Sequence, residues 1–586
     1  MSKNLFVGVD GKARKAKEFY VGVNGKARKI VKAYIGDENG KARPFWEKES
    51  IPITNSLEFV SDNSFTMSAP KFWDGTLEYN NGNGNGWTTW NGTEISSNAI
   101  DGRQRIYFRG SRNTIIRGID GSSSNGWKIT GSNVECNGNI EYLLDYQKVA
   151  AGEHPEMGSR CYSYIFSGCS SLTTAPQLPA ATLVKSCYYG MFVDCSSLTT
   201  IPQLPATTLE SACYGYMFSG CSSLTTAPQL PATTLAESCY AGMFKGCTSI
   251  TTAPELPATT LANYCYDNMF SGCSSLTTAP QLPATTLARN CYGYMFSGCS
   301  RLTTAPALPA TTLVYGCYAG MFKDCTSITT APELPATTLA ESCYSNMFNG
   351  CSRLTTAPEL PVATLAEYCY DFMFSGCSSL RTAPALSATT LAKGCYRKMF
   401  RNCSKLTTAP QLPATTLAES CYDSMFSGCS SLATAPELPA TTLANYCYYG
   451  MFYNCYLTTT PQLPATTLAN SCYGNMFSGC GRLTTVPKLP ATTLAPNCYA
   501  NMFAYCRELT TVPALPATTL AMSCYVQMFF GAISISETQS EDYPTPYRIP
   551  ITGEGTIGSN SLGNMFNITP HINTTYYLPK GISIIS

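Results

Sequence analysis

Charge is scarce in this chain. Charged residues make up 13% of its 586 positions, about half the share usual for a globular protein, and the formal net charge is +1. A chain this neutral has no field with which to gather a phosphate backbone, so nucleic acid is not an expected partner. Histidine is scarcer still. The two histidines, His154 and His571, stand far apart in sequence, so no repeated acid/base or nucleophilic constellation is available and no enzyme is expected. No apolar run approaches the roughly 18 residues of a membrane span, which argues against membrane insertion. The opening residues, Met1-Ser-Lys-Asn-Leu-Phe, have neither the apolar stretch nor the small-residue cleavage site of a secretory signal. Synthesis in a cytoplasm is expected, with exit by another route such as lysis.

What is present is periodicity. A chain several times the usual domain size calls for several domains or a repeat array, and the unit Cys-Tyr-x-x-Met-Phe-x-x-Cys-x-x-Leu-Thr-Thr-Ala-Pro-x-Leu-Pro-Ala-Thr-Thr-Leu-Ala-x-x recurs in fifteen coils. Its first cysteine falls at Cys161, Cys187, Cys213 and onward to Cys524, at a step of 26 residues. One step, from Cys447 to Cys472, is 25, because Cys455-Tyr456-Leu457 is one residue short of Cys-x-x-Leu. The second cysteine follows eight residues after the first in fourteen coils, and Ala532 replaces it in the last.

Projected at 100° per residue, Leu235 to Cys247 separates into two arcs. Leu235, Ala236, Cys239, Tyr240, Met243, Phe244 and Cys247 fall on one, and Glu237, Ser238, Ala241, Gly242 and Lys245 on the other. This predicts a helix, capped by Thr233 or Thr234 and ended near Gly246. The following Leu-Thr-Thr-Ala-Pro-x-Leu-Pro leaves only Thr-Thr-Ala free of proline, and so one short strand. The expected fold is an α/β repeat solenoid, leucine-rich-repeat-like, with a short strand plus helix per 26-residue coil. At about 4.8 Å per coil it would extend about 70 Å.

The flanks differ. In residues 1–48, Phe6-Val7-Gly8-Val9-Asp10-Gly11-Lys12-Ala13-Arg14-Lys15 recurs as Tyr20-Val21-Gly22-Val23-Asn24-Gly25-Lys26-Ala27-Arg28-Lys29. Asp-Gly and Asn-Gly are hairpin signals, and Lys and Arg outnumber Asp and Glu here by more than two to one. Residues 49–139 alternate β-type runs (56–60, 105–108, 113–116) with Gly/Asn turns, predicting a small antiparallel β domain. A helical N-cap (140–160, helix from Ile140 to Ala151) leads into the solenoid (161–535). Residues 536–586, with Met565-Phe566 and Leu578-Pro579, read as a C-terminal cap built from a degenerate coil.

The phrase Met-Phe-x-Gly-Cys-x-Ser-Leu followed by Thr-Thr-Ala-Pro-x-Leu-Pro, at Met269 to Pro283, resembles the BspA-like leucine-rich repeats of bacterial surface proteins and of bacteriophages of gut bacteria. The resemblance covers about residues 161–535 and implies adhesion or surface binding. The opening Val-Gly-Val-Asn-Gly-Lys-Ala-Arg resembles the N-termini of phage and prophage tail-associated proteins. Together the resemblances imply a virion protein, at the tail tip or fibre, that joins other virion proteins through residues 1–48 and presents the solenoid to a bacterial surface glycan or protein. A homo-oligomer, of which a trimer is one form, is expected. The alternative is a BspA-like adhesin or interaction protein at a bacterial cell surface.

Two cysteines eight residues apart on one helix lie about 12 Å apart, too far for a shared zinc ion. No metal or cofactor is expected, and the thiols read as reduced core ladders, with inter-coil disulfides the other option. The most basic coil carries Lys393, Arg397, Lys398, Arg401 and Lys405. This is either a dock for an anionic glycan or phosphate, or a stack of ion pairs with Glu367, Glu419, Asp371 and Asp423 in the neighbouring coils. Tyr189, Tyr216, Tyr294, Phe372 and Tyr449 occupy variable positions and are expected to be exposed aromatics of a contact surface. Rows of threonine raise ice binding. Adjacent strand residues face opposite ways, so only one Thr column per strand would be exposed, which is too few.

Overall fold

A computed structural model describes residues 53–534, apart from 71, 83–85, 119–125, 361–363 and 518, together with short elements at 6–47, 548–549, 564–565 and 583–584. The chain divides into two compact units, Met1–Asn55 and Ser56–Ser586. Among its described residues the first holds three antiparallel hairpins: β1 (Phe6–Val9) with β2 (Lys12–Lys15), β3 (Phe19–Val23) with β4 (Lys26–Ile30), and β5 (Lys32–Gly36) with β6 (Ala42–Glu47). Val9 pairs Lys12 and Val23 pairs Lys26, which leaves two residues between the strands of each of these hairpins, the spacing that Asp-Gly and Asn-Gly favour.

The second unit opens with an antiparallel β region. Its strands are β7 (Leu57–Ser61), β8 (Thr66–Ser68), β9 (Phe72–Trp73), β10 (Thr76–Asn80), β11 (Thr88–Thr89), β12 (Ile95–Ser96), β13 (Asn98–Ile100), β14 (Arg103–Ser111), β15 (Ile116–Arg117), β16 (Lys128–Thr130) and β17 (Val134–Asn137). The main sheet runs β11-β10-β14-β7-β17. Along β14 the period of two sends Ile106 and Phe108 into the core. Outward, Arg103 pairs Glu135 at 2.9 Å, Arg105 pairs Glu58, and Arg109 pairs Glu78 at 2.7 Å. The one α-helix among the described residues, α1 (Tyr142–Ala150), lies within the stretch read as helical and buries Leu143 and Leu144.

This region closes the array by continuing it. Strand β17 pairs in parallel with β18 (Leu172–Thr174) of the first coil, and the N–H groups of Ile116, Gly118 and Trp127 donate to the first coil's carbonyls at Cys161, Ser163 and Ile165. Trp127 packs against Phe59, Trp90 and Phe108 on one side and against Phe166, at 6.3 Å, on the other. Phe166 then stacks on Phe192 at 5.3 Å, the first step of a phenylalanine ladder that ends at Phe503 on Phe529. A parallel tyrosine ladder runs from Tyr162 to Tyr525. One hydrophobic core therefore runs from Leu57 to Met565.

The coils are not helical, which corrects the strand-plus-helix expectation. In the coil of Cys239 the N–H groups alternate. Ala241, Met243, Lys245 and Cys247 donate three residues back, to Ser238, Tyr240, Gly242 and Phe244, while Tyr240, Gly242, Phe244 and Gly246 donate to Cys265, Asp267, Met269 and Ser271 of the next coil. An α-helix needs every bond within itself, four residues back. Every fourth residue is instead left-handed, with φ of 54° at Ser238, 58° at Gly242 and 72° at Gly246, a conformation that ends a right-handed helix. The result is a run of turns with a period of four: two residues inward (Cys-Tyr, Met-Phe), two outward. Strand structure is reduced as well. Beyond β18 the coils join at single parallel bridges in two threonine columns, such as Thr226↔Thr252 and Thr234↔Thr260.

All thirty cysteines are buried and unpaired. The second row has a definite partner: the Cys247 thiol donates to the Phe218 carbonyl of the preceding coil at 3.0 Å, as Cys195 does to Phe166 and Cys325 to Phe296. At the far end, the Phe529 N–H donates to the Met565 carbonyl, the bond that each coil's Phe makes to the next coil's Met. Met565 of the tail thus takes the place of a sixteenth rung. The rest of the expected C-terminal cap lies outside the described residues.

Candidate binding surface

Because two of every four residues in the turn run face out, each coil presents three outward pairs, and stacking turns these into columns along the array. The left-handed positions form three of the columns, and their side chains lean onto the next coil. Where a non-glycine stands seven residues after the first cysteine, the next coil has glycine at the same place: Asp194 before Gly220, Asp324 before Gly350, Asn402 before Gly428, Asn454 before Gly479 and Tyr505 before Gly531. A Cβ on those glycines would meet the side chain leaning over it.

The same rule governs the aromatics. Tyr216 lies over Gly242 and Tyr294 over Gly320, while Tyr189 covers Gly215 and Tyr449 covers Gly474. Tyr189 also meets Tyr164 at 5.5 Å and Tyr216 at 5.7 Å, and burial pushes its hydroxyl up to about 12. Phe372 is half-buried under Arg397 and Lys398, whose charged groups sit 5.8 and 5.0 Å from its ring. All five residues expected to be exposed are thus half-buried, a correction whose cause is the glycine or cation in the adjoining coil.

The basic coil is partly neutralised by its neighbours. Arg397 grips Asp371 through two bonds of 2.9 Å each, and Lys393 reaches Glu419 at 3.0 Å. Asp371 is buried, and burial pushes its carboxyl up while the Arg397 bonds pull it down. Bidentate, shielded geometry makes this pair stronger than a surface ion pair. The ion-pair option therefore describes Lys393 and Arg397, whereas Arg401 and Lys405 stand exposed.

Exposed aromatics do exist, at positions sequence reasoning did not select: Tyr315, Tyr446, Tyr453, Tyr456 and Tyr505. No group of His, Cys, Asp and Glu able to hold a metal, and no helix long and apolar enough to cross a membrane, occurs among the described residues.

Stacked repeats with inward leucine, an extended outward face and caps at both ends define a solenoid. Four overlapping stretches, residues 153–277, 212–355, 294–433 and 393–528, match the family model described as BspA type leucine rich repeat region (6 copies). The chain belongs to the BspA-type leucine-rich repeat family. No curated protein and no solved structure matches it. The match spans this BspA-type array from just before the first coil to the start of the last.

Proposed function

We propose that this BspA-type chain is a surface adhesin or interaction protein that binds through the outward face of its coils. One contrast carries the reading. The inward Cys-Tyr-x-x-Met-Phe frame is repeated almost unchanged, while an outward column such as Ser211, Glu237, Asn263, Arg289 and Tyr315 changes in five successive coils. A spacer needs no such variety. A recognition surface does, because its specificity lies in side chains set on a rigid scaffold. The partner is a glycan or protein of a bacterial surface, and residues 1–48, which belong to a separate compact unit, attach the chain to its own cell or particle. The tail-tip or fibre role has no observation of its own in its favour, so the adhesin reading is preferred.

The test is direct binding. Fluorescent full-length chain titrated onto bacterial cells should saturate, and a chain lacking residues 1–48 should bind equally well. Loss of binding with residues 1–48, or no saturable binding to any cell surface, would sink the reading.

A further inference from the structure

The coil that begins at Cys447 is exceptional in three ways. It is the coil of the 25-residue step. It lies within the stretch between Glu437 and Arg482, which contains no charged residue at all. With the residue just before it, it also carries three of the array's five exposed tyrosines: Tyr446 and Tyr453, each 41% exposed, and Tyr456, 47% exposed. Tyr449 stands between them, its ring 5.9 Å from that of Tyr446 in an edge-to-face arrangement, and is fixed over Gly474. Tyr456 sits where the coil is one residue short, with the Arg482 guanidinium 4.9 Å from its ring centre.

These tyrosines fall on outward positions spaced three, four and three residues apart along one turn run and the corner after it, so they form a row across the coil and not along the array. We infer that this row is a glycan-binding site for a neutral polysaccharide. An exposed ring offers an apolar face with a polar tip, which suits the C–H face of a pyranose and its hydroxyl rim. An anionic glycan or phosphate would find a single cation, Arg482. Every large exposed hydrophobic side chain of this coil is a tyrosine, with a hydroxyl at its tip. The exposed neighbours Asn445, Asn454, Thr458 and Thr459 add amide and hydroxyl groups that match sugar hydroxyls. Three rings in a row fit successive residues of a linear chain, and rigid rings lose little entropy on contact.

This inference rests on the binding function proposed above and names its ligand class. The full chain is run by affinity electrophoresis in gels containing a neutral mannan, a neutral β-glucan or the anionic polygalacturonate. Retardation in at least one neutral gel is expected, reduced at least ten-fold in the Tyr453→Ala/Tyr456→Ala variant and unchanged in Phe72→Ala, which removes an exposed ring of the β region. Both side chains of the double variant are exposed, so its thermal unfolding should match the parent's. Retardation only by polygalacturonate, no retardation in either neutral gel, or equal retardation of the double variant would each overturn the inference. Cell binding separates the two claims. If the double variant binds cells as the parent does, the tyrosine row is wrong and the adhesin reading stands; if the parent binds no cells, the function fails with it. Tyrosine-dependent cell binding that protease treatment of the cells abolishes would place a protein on the row and overturn the glycan.

Discussion

The β region and the coil array share one hydrophobic core but satisfy their backbones in opposite ways. In the sheet, β14 finds its partners β7, β10 and β13 within a single local fold, and each core contact is particular: Trp127 meets Phe59 and Phe166 stacked, Trp90 tilted and Phe108 edge-on. In the array, every second N–H of the turn run depends on the next coil, and each ring meets its own copy, as in Tyr292 on Tyr318 and Phe296 on Phe322. Charges divide likewise. The sheet's outer face is a ladder of Arg–Glu pairs, while the array's variable columns are mostly uncharged. A region with particular contacts can end; a region of self-similar contacts has to be ended by something else. That is the work of Trp127 at one end and of the Met565 rung at the other.

Alkali should break the symmetry of the two regions most strongly. The array holds all the cysteines but Cys136, and burial pushes thiols such as Cys169, Cys265 and Cys395 up to about 12. Raised folded values mean that the unfolded chain releases its protons first. The stabilisation is therefore complete below about pH 8.5, the free thiol's value, and is lost as pH rises toward 12. Each thiol contributes a slope of at most about 1.4 kcal/mol per pH unit. Denaturant melts between pH 8 and 11 should show a steep fall, and thiol titration of the native protein at pH 7 should find the cysteines reduced and unreactive. A flat profile would mean that the two cysteine rows are accessible.

Trp127→Ala removes the shared rung and should cost about 3–5 kcal/mol. Because coil stability is a sum of local and neighbour terms, hydrogen exchange should rise in the β region and the coils near Cys161 and Cys187 and stay unchanged near Cys421. Uniform loss of protection would show the array to be a single cooperative block.

A smaller effect sharpens the glycine rule. Gly350→Asp, placed under Asp324, should cost about 1–3 kcal/mol by clash and backbone strain. Adding Asp324→Gly should restore most of that, since the new side chain would then lean over Gly376, which is itself left-handed at φ 75°. Thermal melts of the single and double variants decide it; equal destabilisation in both would leave only the backbone term. The smallest effect belongs to an outward residue with no such role: Glu341→Ala, exposed, should change stability by less than about 0.5 kcal/mol.

Much of this was legible in the residues. The 26-residue period, the inward set Cys239, Tyr240, Met243, Phe244 and Cys247, and the antiparallel character of residues 56–137 follow from spacing alone. So do the stacked charges, since Asp371 and Arg397 stand one period apart. The helix was misread because the inward positions repeat every 4.0 residues and not every 3.6. Over the nine residues from Cys239 to Cys247 both periods keep the apolar set within one half of a helical wheel. A signal that separates them is present in some coils as Gly, Asn or Asp at every fourth position, as at Gly316, Gly320 and Asp324, residues that accept the left-handed conformation, but other coils place Ser, Ala or Tyr there, as at Ser238, Ala212 and Tyr216.

The sequence by itself thus determined which side chains face the core, because burial depends on an apolar pattern that one coil already contains. Only the tertiary structure decided the path of the backbone and the exposure of the outer rings. The N–H of Phe244 has its acceptor at Met269 in another coil, so no local propensity could choose the turn run over a helix. Tyr216 is half-buried where Gly242 lets it lie flat, whereas Tyr453 stands free, a difference that the next coil makes.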